Sequence, residues 1–241
     1  IQMWFWIFLF LTTGFVVLYY SRIQPFTEIS GRFAVILMLI GIAMWVSSTA
    51  ARPTAASVAP TVAAAVGGIA VISGVIHMAV LRDDVVIAPF GGVLLCMGAL
   101  SLMGERWPMM SQTEQFGSFI LASVIVLLEI YLAFRGLVVG VQGITWSKSG
   151  LRQVNRGLLR GPRGAISHFE RSWDMDDPWL NAMSHAALAL IHRHLGDSAS
   201  EREHLAELES GGGWDSVDEA WVKAIEAGLS HLKATPHGGD D

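Results

Sequence analysis

The sequence predicts an all-α protein in which a five-helix transmembrane bundle is followed by a small helical domain. The 241 residues are 52% hydrophobic and 15% charged, with a mean hydropathy of +0.48, whereas soluble domains carry about 25% charged residues. Five apolar segments of membrane-spanning length precede residue 147, and a single chain segment in lipid satisfies its backbone as a helix. From residue 147 the pattern changes to short amphipathic helices. We therefore divide the chain into domains at 1–146 and 147–241.

The five predicted membrane helices share a nearly continuous apolar composition and are joined by short polar connections. They cover residues 2–20, 33–49, 58–81, 85–103 and 116–137. We expect the first helix to be retained, because no small-residue cleavage pattern follows it. The fourth helix is the weakest, since Pro89 and the pair Gly91 and Gly92 can kink it or make it re-entrant.

Basic residues in the short loops predict the orientation of the bundle, because cytoplasmic loops retain an excess of Lys and Arg. The loops after the first and third helices lie on the same side as the tail and carry Arg22, Arg32 and Arg82. The opposite loops carry Arg52 and Arg106. We expect the amino terminus outside and the tail in the cytoplasm, as in a protein of a bacterial inner membrane.

Small residues in the third helix predict close helix packing. Ala64 and Gly68, and then Ala70 and Gly74, have the small-xxx-small spacing that lets two backbones approach. We expect this helix to lie at the centre of the bundle or to face a partner subunit.

The predicted membrane helices contain one histidine, one acid and one arginine, which are His77, Glu129 and Arg135. An ionised Glu129 in hydrocarbon would cost about 3 kcal/mol, so we expect it to be protonated, paired or facing a polar cavity. His77 lies at a similar depth and can form a hydrogen-bonded pair with Glu129. Ser73 precedes His77 by one turn on the same helix face. Arg135 follows Glu129 by six residues and is expected to reach the inner headgroups.

His77 and Glu129 each allow a sharper interpretation. Imidazole is the usual protein ligand of haem iron, so His77 can hold a tetrapyrrole; with no second histidine in the membrane half, a bis-histidine haem within the chain is excluded. Glu129 can handle a proton or an ion, as in a small coupled transporter. We favour hydrogen bonding for His77 and structural pairing for Glu129, because no second acid or base in the membrane helices would continue a proton relay. The transporter is least favoured, because the bundle is small and shows no internal repeat.

The tail begins with a basic segment beside the predicted inner leaflet. Each charge near such a surface contributes about 1 kcal/mol of attraction to anionic lipid. These residues can therefore dock on the membrane surface, or they form a solvated helix face. They are Lys148, Arg152, Arg156, Arg160 and Arg163.

Four further helices are predicted in the tail from apolar periodicity and capping residues. They cover residues 165–173, 179–195, 201–208 and 217–232. Asp177 followed by Pro178 is a favourable start for the second of them. Capping boxes, a Ser followed three residues later by a Glu, are predicted to start the third and fourth. They are Ser200 with Glu203, and Ser216 with Glu219.

The segment from 151 to 208 resembles tetratricopeptide repeats. Ala165 and Phe169 with Pro178 match the second-helix signature, and the Leu195-Gly196-Asp197 turn matches the connection between helices. The resemblance implies a protein-binding surface and no catalysis. Only about one and a half units are present, so the tail must lean on another part of the protein or on a partner. The residues assigned to partner binding are Phe169, Trp173, Trp179, Met183 and His192.

Motifs of catalysis and metal binding are absent from the sequence, including the phosphate-binding loop, the zinc-protease motif and the nucleophile elbow. His192 and His194 are two apart on a helix and point in different directions, whereas His185 and His192 can share a face. Cys96 is the only cysteine and lies in an apolar run. We assign no catalytic residue, no metal and no nucleic-acid surface.

These observations favour a non-catalytic membrane subunit that scaffolds or stabilises a larger complex. Its expected partners are other membrane subunits, a cytoplasmic protein or peptide bound by the tail, and lipid. One alternative is an accessory subunit of a photosynthetic or respiratory electron-transfer complex, with His77 contacting a pigment or haem. Another is a small ion-coupled or proton-coupled transporter that uses Glu129.

Overall fold

The computed structural model describes residues 2–51, 54–173 and 177–234, and these residues form helices, turns and connections with no β-strand. The prediction of an all-α protein is therefore confirmed. The chain divides into two compact units, Ile1–Val141 and Gln142–Asp241, which are described one at a time. Arg52, one of the residues that predict the orientation, lies outside the described residues.

The first unit contains five long apolar helices. They are α1 (Gln2–Ser21), α2 (Thr27–Ser48), α3 (Val58–Val75), α4 (Ile87–Arg106) and α5 (Gln112–Ala133). α3 and α5 each continue for six residues as a π-helix, Ile76–Leu81 and Phe134–Val139. All five are long and apolar enough to cross a membrane, as the sequence predicts.

Two of these helices begin earlier than predicted. The prediction follows apolar runs, and the first turns of both helices are polar. α2 starts at Thr27 with Glu28 in its first turn, where a carboxylate interacts favourably with the helix dipole. α5 starts after Ser111, which forms a capping box with Glu114: the Ser111 N–H donates to Glu114 Oε2 at 2.8 Å, and the Glu114 N–H donates to Ser111 Oγ. A search for apolar runs alone misses such turns.

α4 is continuous from Ile87 to Arg106 and is not interrupted at Pro89. Because the helix begins at Ile87, Pro89 falls in its first turn, where no backbone donor is needed. Asp84 starts this helix, and its Oδ1 accepts hydrogen bonds from the N–H groups of Val86 and Ile87 at 2.9 and 3.0 Å. The structure thus shows a continuous helix at the point where the sequence suggested a kink or a re-entrant segment.

Neighbouring helices pair in sequence order in the first unit: α1 with α2, α3 with α4, and α4 with α5. One apolar core joins all five helices and includes Phe10, Leu37, Ala63, Leu94 and Leu132, each at most 1% exposed. Short connections between antiparallel helices account for this pairing.

The second unit contains five helices. They are α6 (Gly143–Asn155), α7 (Ala165–Glu170), α8 (Pro178–Leu195), α9 (Ser198–Ser210) and α10 (Glu219–Ala234). α8 and α9 form a helical hairpin, α6 packs on α7, and α10 packs on α6 and α8. α7 ends at Glu170 rather than at the predicted residue 173, so it is shorter than the helices of a 34-residue helix-turn-helix unit.

Aspartates start three helices of this unit. Asp177 accepts a hydrogen bond from the Leu180 N–H, with Pro178 at the first helical position, as predicted. α9 starts at Ser198, and its cap is Asp197, not the predicted Ser200. Gly196 ends α8 with a left-handed φ of +74°, so Asp197 is the first residue of the turn that can cap.

α10 likewise starts later than predicted. It begins at Glu219, and Asp218 Oδ1 accepts a hydrogen bond from the Ala220 N–H at 2.7 Å. Ser216 instead belongs to a 3₁₀ turn, Trp214–Ser216. Both predicted capping boxes of the tail are therefore corrected to aspartate caps.

The core of the second unit lies between α6, α7, α8 and α10. Its completely buried side chains are Val154, Phe169, Leu188, Ile191 and Ile225. A smaller cluster under α9 contains Met183, Leu208 and Val217. The buried face of α8 is shared by both clusters, which makes α8 the central helix of the tail.

Candidate functional site

Glycines bring α3 and α4 into direct backbone contact. A Cβ added at Gly67 would lie 2.6 Å from the Gly91 carbonyl oxygen, and one added at Gly74 would lie 2.6 Å from the Ala88 Cα. Real Cβ atoms do not approach backbone so closely, so both positions require glycine. This contact lies within the chain, between two helices that are neighbours in sequence.

The predicted packing residues contribute unequally to this contact. Ala64 lies against Gly98, and the Ala70 Cβ lies against Gly91. A Cβ on Gly68, in contrast, would make only an ordinary contact of 3.9 Å with Leu95. Gly67 is the residue that sequence reasoning missed. The signal for it is a pair of seven-residue spacings, Gly67 to Gly74 and Gly91 to Gly98, which place the glycines on one helix face after about two turns.

Glu129 points from α5 toward α4. Its carboxylate lies against Gly92, where a side chain on α4 would occupy the same space. Oε2 is buried, and none of the described residues offers it a hydrogen bond. The Arg135 Nη1, six residues later, is also buried without a partner among those residues. The small size of Gly92 thus makes room for a carboxylate whose Oε2 has no partner among the described residues.

His77 pairs with Asp83 and not with Glu129. The His77 Nδ1 lies 2.8 Å from Asp83 Oδ1. The π-helical turn after α3 and a left-handed Arg82, with φ of +52°, fold the chain back so that the Asp83 N–H donates to the His77 carbonyl. The predicted pair of His77 and Glu129 is therefore not formed.

Asp84 is the most enclosed acid of this end of the bundle. It is 1% exposed, and burial raises the pKa of its carboxyl, against the lowering effect of the hydrogen bonds from Ile87 and Val86. The sequence suggested only a polar turn here. The structure shows that the Asp83 carboxylate pairs with His77. The Asp84 carboxylate accepts hydrogen bonds at the start of α4.

Ser73 and His77 line a groove between α2 and α3 with a volume of about 490 Å³. Arg32 of α2 lines it at the same end as His77, and the remaining walls are mostly apolar. They are formed by Ile29, Phe33, Ile36, Val66, Ile69, Ala70 and Ile87. Of the predicted intramembrane polar residues, the structure thus brings His77 and Ser73 together and leaves Glu129 apart on α5.

Two of the predicted partner-binding residues of the tail are buried. Phe169 is 0% exposed and Met183 is 4% exposed. Phe169 packs its ring against Gly150 and edge-on to Trp221, 5.9 Å between ring centroids. Their assignment to a partner surface is corrected to the core. Trp173 and Trp179 are about half exposed and are available at the surface.

A cluster of histidines lies where α8 meets α9, and we call it the histidine cluster: His185, His192 and His204. The Nδ1 atoms of His185 and His204 are 3.3 Å apart, and the rings of His192 and His204 are 5.5 Å apart. Trp173 packs on His185, with 4.8 Å between ring centroids. His185 and His192 share a helix face, as predicted, whereas sequence reasoning missed His204 because no motif connects it to α8.

Burial makes two members of the histidine cluster, His185 and His204, less basic than an ordinary histidine. Burial lowers the pKa of His185 and of His204, and the charges of His185 and His192 lower that of His204 further. His192 Nδ1 lies 3.2 Å from Asp197 Oδ2. His194 faces another direction and lines a cavity of about 270 Å³ beside α10. In the described ranges, no three His, Cys, Asp or Glu side chains are arranged to hold a metal ion.

The basic segment of the tail is spread over α6 and the following connection. Lys148, Arg156, Arg160 and Arg163 are exposed, and Arg152 is half-buried. Lys148, Arg152 and Arg156 also take part in interactions within the protein. The segment therefore presents charge to its surroundings while part of it is fixed to the tail.

A buried histidine, His168, fixes α6 to α7. His168 Nδ1 lies 2.8 Å from Ser149 Oγ, and its ring packs edge-on to Trp146 at 5.2 Å. The Arg171 guanidinium lies over the Trp146 ring, with its Cζ 5.1 Å from the ring centroid. Burial, with a smaller effect of Arg171, lowers the pKa of His168 to about 4.

Comparisons with protein-family models, with curated proteins and with solved structures found no match to this chain.

Proposed function

We propose that this protein is a non-catalytic integral membrane subunit that scaffolds or stabilises a larger membrane complex. The five-helix unit spans the membrane, and the tail is a tetratricopeptide-like adaptor that binds a protein or peptide. The observation that carries this proposal is the exposure of α5, which is apolar around its surface and yet holds, on Glu129, a buried carboxylate oxygen without a partner among the described residues.

α5 is covered far less by its own chain than the other helices. Within its apolar stretch 6% of the residues are buried, against 28–44% in α1 to α4 with their extensions. Phe119, Ile120 and Leu121 are consecutive and all exposed, and with about 3.6 residues per turn they point in three different directions. Such a helix faces lipid or another protein on most sides.

Glu129 and Arg135 favour a protein neighbour over lipid alone. Each has a buried polar atom without a partner in the described residues, and an unsatisfied buried polar group costs about 1–3 kcal/mol, more when it is charged. Lipid tails cannot supply hydrogen bonds. A second subunit seated along α5 can supply them and also cover the exposed apolar surface.

The tail supports an adaptor role through its packing and its surface. α8 and α9 form one helical hairpin, as in the helical repeats that the sequence resembles. Trp173 and Trp179 are half exposed near the start of α8, and tryptophan is enriched where protein interfaces have their strongest contacts. We place the tail in the cytoplasm of a bacterial cell, with the amino terminus outside, because of the loop arginines.

Photocrosslinking in membranes of the native host tests the role of α5. A benzoylphenylalanine is placed at Leu127, which is 65% exposed on α5, or at Ile72, which is 68% exposed on α3. We expect a specific protein adduct from Leu127 and not from Ile72, because both positions are equally accessible but only α5 is proposed to hold a partner. Adducts to lipid alone from Leu127 would contradict the proposal.

The adaptor role is tested in the full chain by Trp173→Ala combined with Trp179→Ala. We expect soluble proteins that co-purify with the unmodified chain to be lost or reduced at least tenfold, while the proteins crosslinked at α5 remain. Leu158→Ala is the matched control, because Leu158 is 53% exposed elsewhere in the tail. Equal recovery of soluble partners from all three proteins would overturn the assignment of the tail.

A further inference from the structure

We propose that the groove between α2 and α3 binds one acyl chain of an anionic glycerophospholipid, whose phosphate is held at the polar end by Arg32. This site is independent of the surface of α5 and of the tail. The shape of the groove and the position of its polar residues support this assignment, and a second groove in the same bundle lacks these polar residues.

The groove has the length of one leaflet. Along α3 it extends from Val66 to His77, eleven residues, which correspond to about 16 Å of helix. Half of a hydrocarbon core of about 30 Å is about 15 Å. Its volume of about 490 Å³ lies within the range of about 300–1,000 Å³ that is typical of small-molecule sites.

The polar residues lie at one end of this length. α2 begins and α3 ends on the same side of the bundle, so Arg32 and His77 lie near that side, whereas Ile36 and Val66 lie deeper. A lipid has the same polarity along its length, with a charged headgroup at the surface and an apolar chain below. The groove and the lipid are therefore complementary in both polarity and direction.

Arg32 is the residue that selects the headgroup. It is exposed, and no ion pair or hydrogen bond with another described residue holds its guanidinium. A guanidinium donates two parallel hydrogen bonds to a phosphate. The side chain of Ser73 can donate to a phosphate or glycerol oxygen, whereas His77 is already held by Asp83 through Nδ1. The positive charge of the groove therefore comes from Arg32.

A second groove, of about 240 Å³, lies near the opposite end of the bundle and can be compared with the first in the charge of its lining residues. It lies between α2 and the start of α3, and the residues that line it are uncharged. They are Met3, Ile40, Ala43, Met44, Ser47, Thr54, Val58, Ala59 and Val62. Such a groove can accept any acyl chain, because nothing in it distinguishes one headgroup from another.

Native mass spectrometry of the full chain in detergent tests this proposal with defined lipids. Phosphatidylglycerol and phosphatidylcholine with identical acyl chains are titrated in separate experiments. We expect at least one phosphatidylglycerol to bind at least tenfold more tightly than phosphatidylcholine, and Arg32→Gln to remove this preference. Arg22→Gln is the matched control, because it removes an exposed arginine from the same side of the bundle but outside the groove.

A second variant tests the apolar part of the groove without changing charge. Ile69 lines the groove and is 71% exposed, so Ile69→Trp should fold normally and occupy the space of the acyl chain. We expect it to weaken phosphatidylglycerol binding at least fivefold. Ile72→Trp, on an equally exposed position outside the groove, should leave binding unchanged.

Several results would overturn the proposal. One is an equal loss of phosphatidylglycerol binding in Arg32→Gln and Arg22→Gln, which would indicate attraction to the whole basic side. Another is competition by inorganic phosphate alone, which would indicate an anion site without a lipid chain. A third is a coloured cofactor that co-purifies and is lost in His77→Ala, since a tetrapyrrole would then occupy the groove.

Discussion

Glu129 shows how a single residue can reveal an incomplete surface in a bundle of helices that are apolar enough to cross a membrane. Its carboxylate enters the bundle at the one place on α4 where Gly92 leaves space, yet Oε2 has no donor among the described residues. Polar groups within membrane helices are retained for a partner, a cavity or a pathway, because each is costly in hydrocarbon. The position of Glu129 on the least covered helix favours a partner in another subunit.

The substitution Glu129→Leu should stabilise the isolated protein. An apolar side chain of similar size removes an unsatisfied buried group, which we expect to increase the free energy of unfolding by about 1–3 kcal/mol. The measurement is thermal unfolding of the purified chain in detergent. Glu105→Leu is the control, since Glu105 is exposed near the end of α4. A lower melting temperature for Glu129→Leu would mean that the carboxylate is already satisfied within this chain.

Sequence reasoning identified Glu129 as a residue in need of a partner but assigned His77 to it wrongly. Counting residues from the helix ends gives the depth of a side chain, but it gives no information on the direction in which the side chain points around the helix. The true partner of His77, Asp83, lies only six residues away. It is brought back by a π-helical turn and a left-handed Arg82, neither of which follows from local hydrophobicity.

At the scale of helices, the pair α3 and α4 depends on glycine in a way that the small-xxx-small motif describes only in part. The motif indicates the correct helix and correctly includes Gly74. It assigns Gly68 to the contact, although Gly67 is the residue that touches α4 backbone. Two adjacent glycines cannot be distinguished by composition. The seven-residue spacing shared by α3 and α4 distinguishes them.

The adjacent glycines of α3 provide a matched test of this contact. Gly67→Ala should destabilise the bundle by about 1–3 kcal/mol, as overpacking of a filled core does, because the new methyl group would lie 2.6 Å from the Gly91 carbonyl oxygen. Gly68→Ala adds the same methyl group with its nearest neighbour 3.9 Å away. We expect it to be neutral or slightly stabilising. Thermal unfolding of both variants is the measurement, and equal melting temperatures would contradict the observed contact.

Helix starts in both units show a further limit of prediction from sequence. Asp177 was identified because proline follows it, whereas Asp197 and Asp218 were overlooked in favour of Ser200 and Ser216. Aspartate and serine are both good caps, so the choice depends on where the preceding helix or turn ends. Gly196 decides it for α9 through its left-handed φ, and the 3₁₀ turn Trp214–Ser216 decides it for α10.

At the scale of the whole molecule, the tail should lose stability in mild acid. The pKa of His168 is lowered to about 4 from an ordinary value of about 6.5, and the pKa values of His185 and His204 are also lowered. Between pH 6.5 and 4 the unfolded chain therefore binds more protons than the folded one. Stability is complete above pH 6.5 and decreases as the pH falls through this window.

Hydrogen exchange of the full chain at pH 7 and pH 5, corrected for the intrinsic exchange rate, measures this effect. We expect backbone amides of α6 and α7 to lose protection at pH 5. His168→Gln, which can still bond Ser149 but does not titrate, should reduce that loss. His231→Gln is the control, because His231 is exposed on α10. Unchanged pH dependence in His168→Gln would exclude His168 as its source.

The five long helices were predictable because a helix that crosses a membrane must meet one requirement along its whole length. About 20 apolar residues are needed per crossing, and the backbone must satisfy itself. The tail has no such requirement, so its helices can be predicted only from weaker amphipathic patterns. No sequence pattern predicts the histidine cluster. His185 and His204 are 19 residues apart and meet only because α8 and α9 form a hairpin.

The orientation of the bundle remains a prediction that cysteine labelling can test. Cys96 is the only cysteine of the chain and is buried, so Cys96→Ala should give a stable, cysteine-free background. Gly104→Cys and Ile23→Cys place thiols at exposed positions on opposite sides of the bundle, and a Cβ at Gly104 meets no neighbour.

In intact spheroplasts, a membrane-impermeant maleimide should label the cysteine at position 104 and not the one at position 23. Position 23 should become reactive only after lysis, because the loop with Arg22 lies on the side that the basic residues assign to the cytoplasm. Equal reaction of the two cysteines after lysis shows that both are accessible. The opposite pattern in intact spheroplasts would invert the orientation and place the tail, with its histidine cluster and exposed tryptophans, outside the cell.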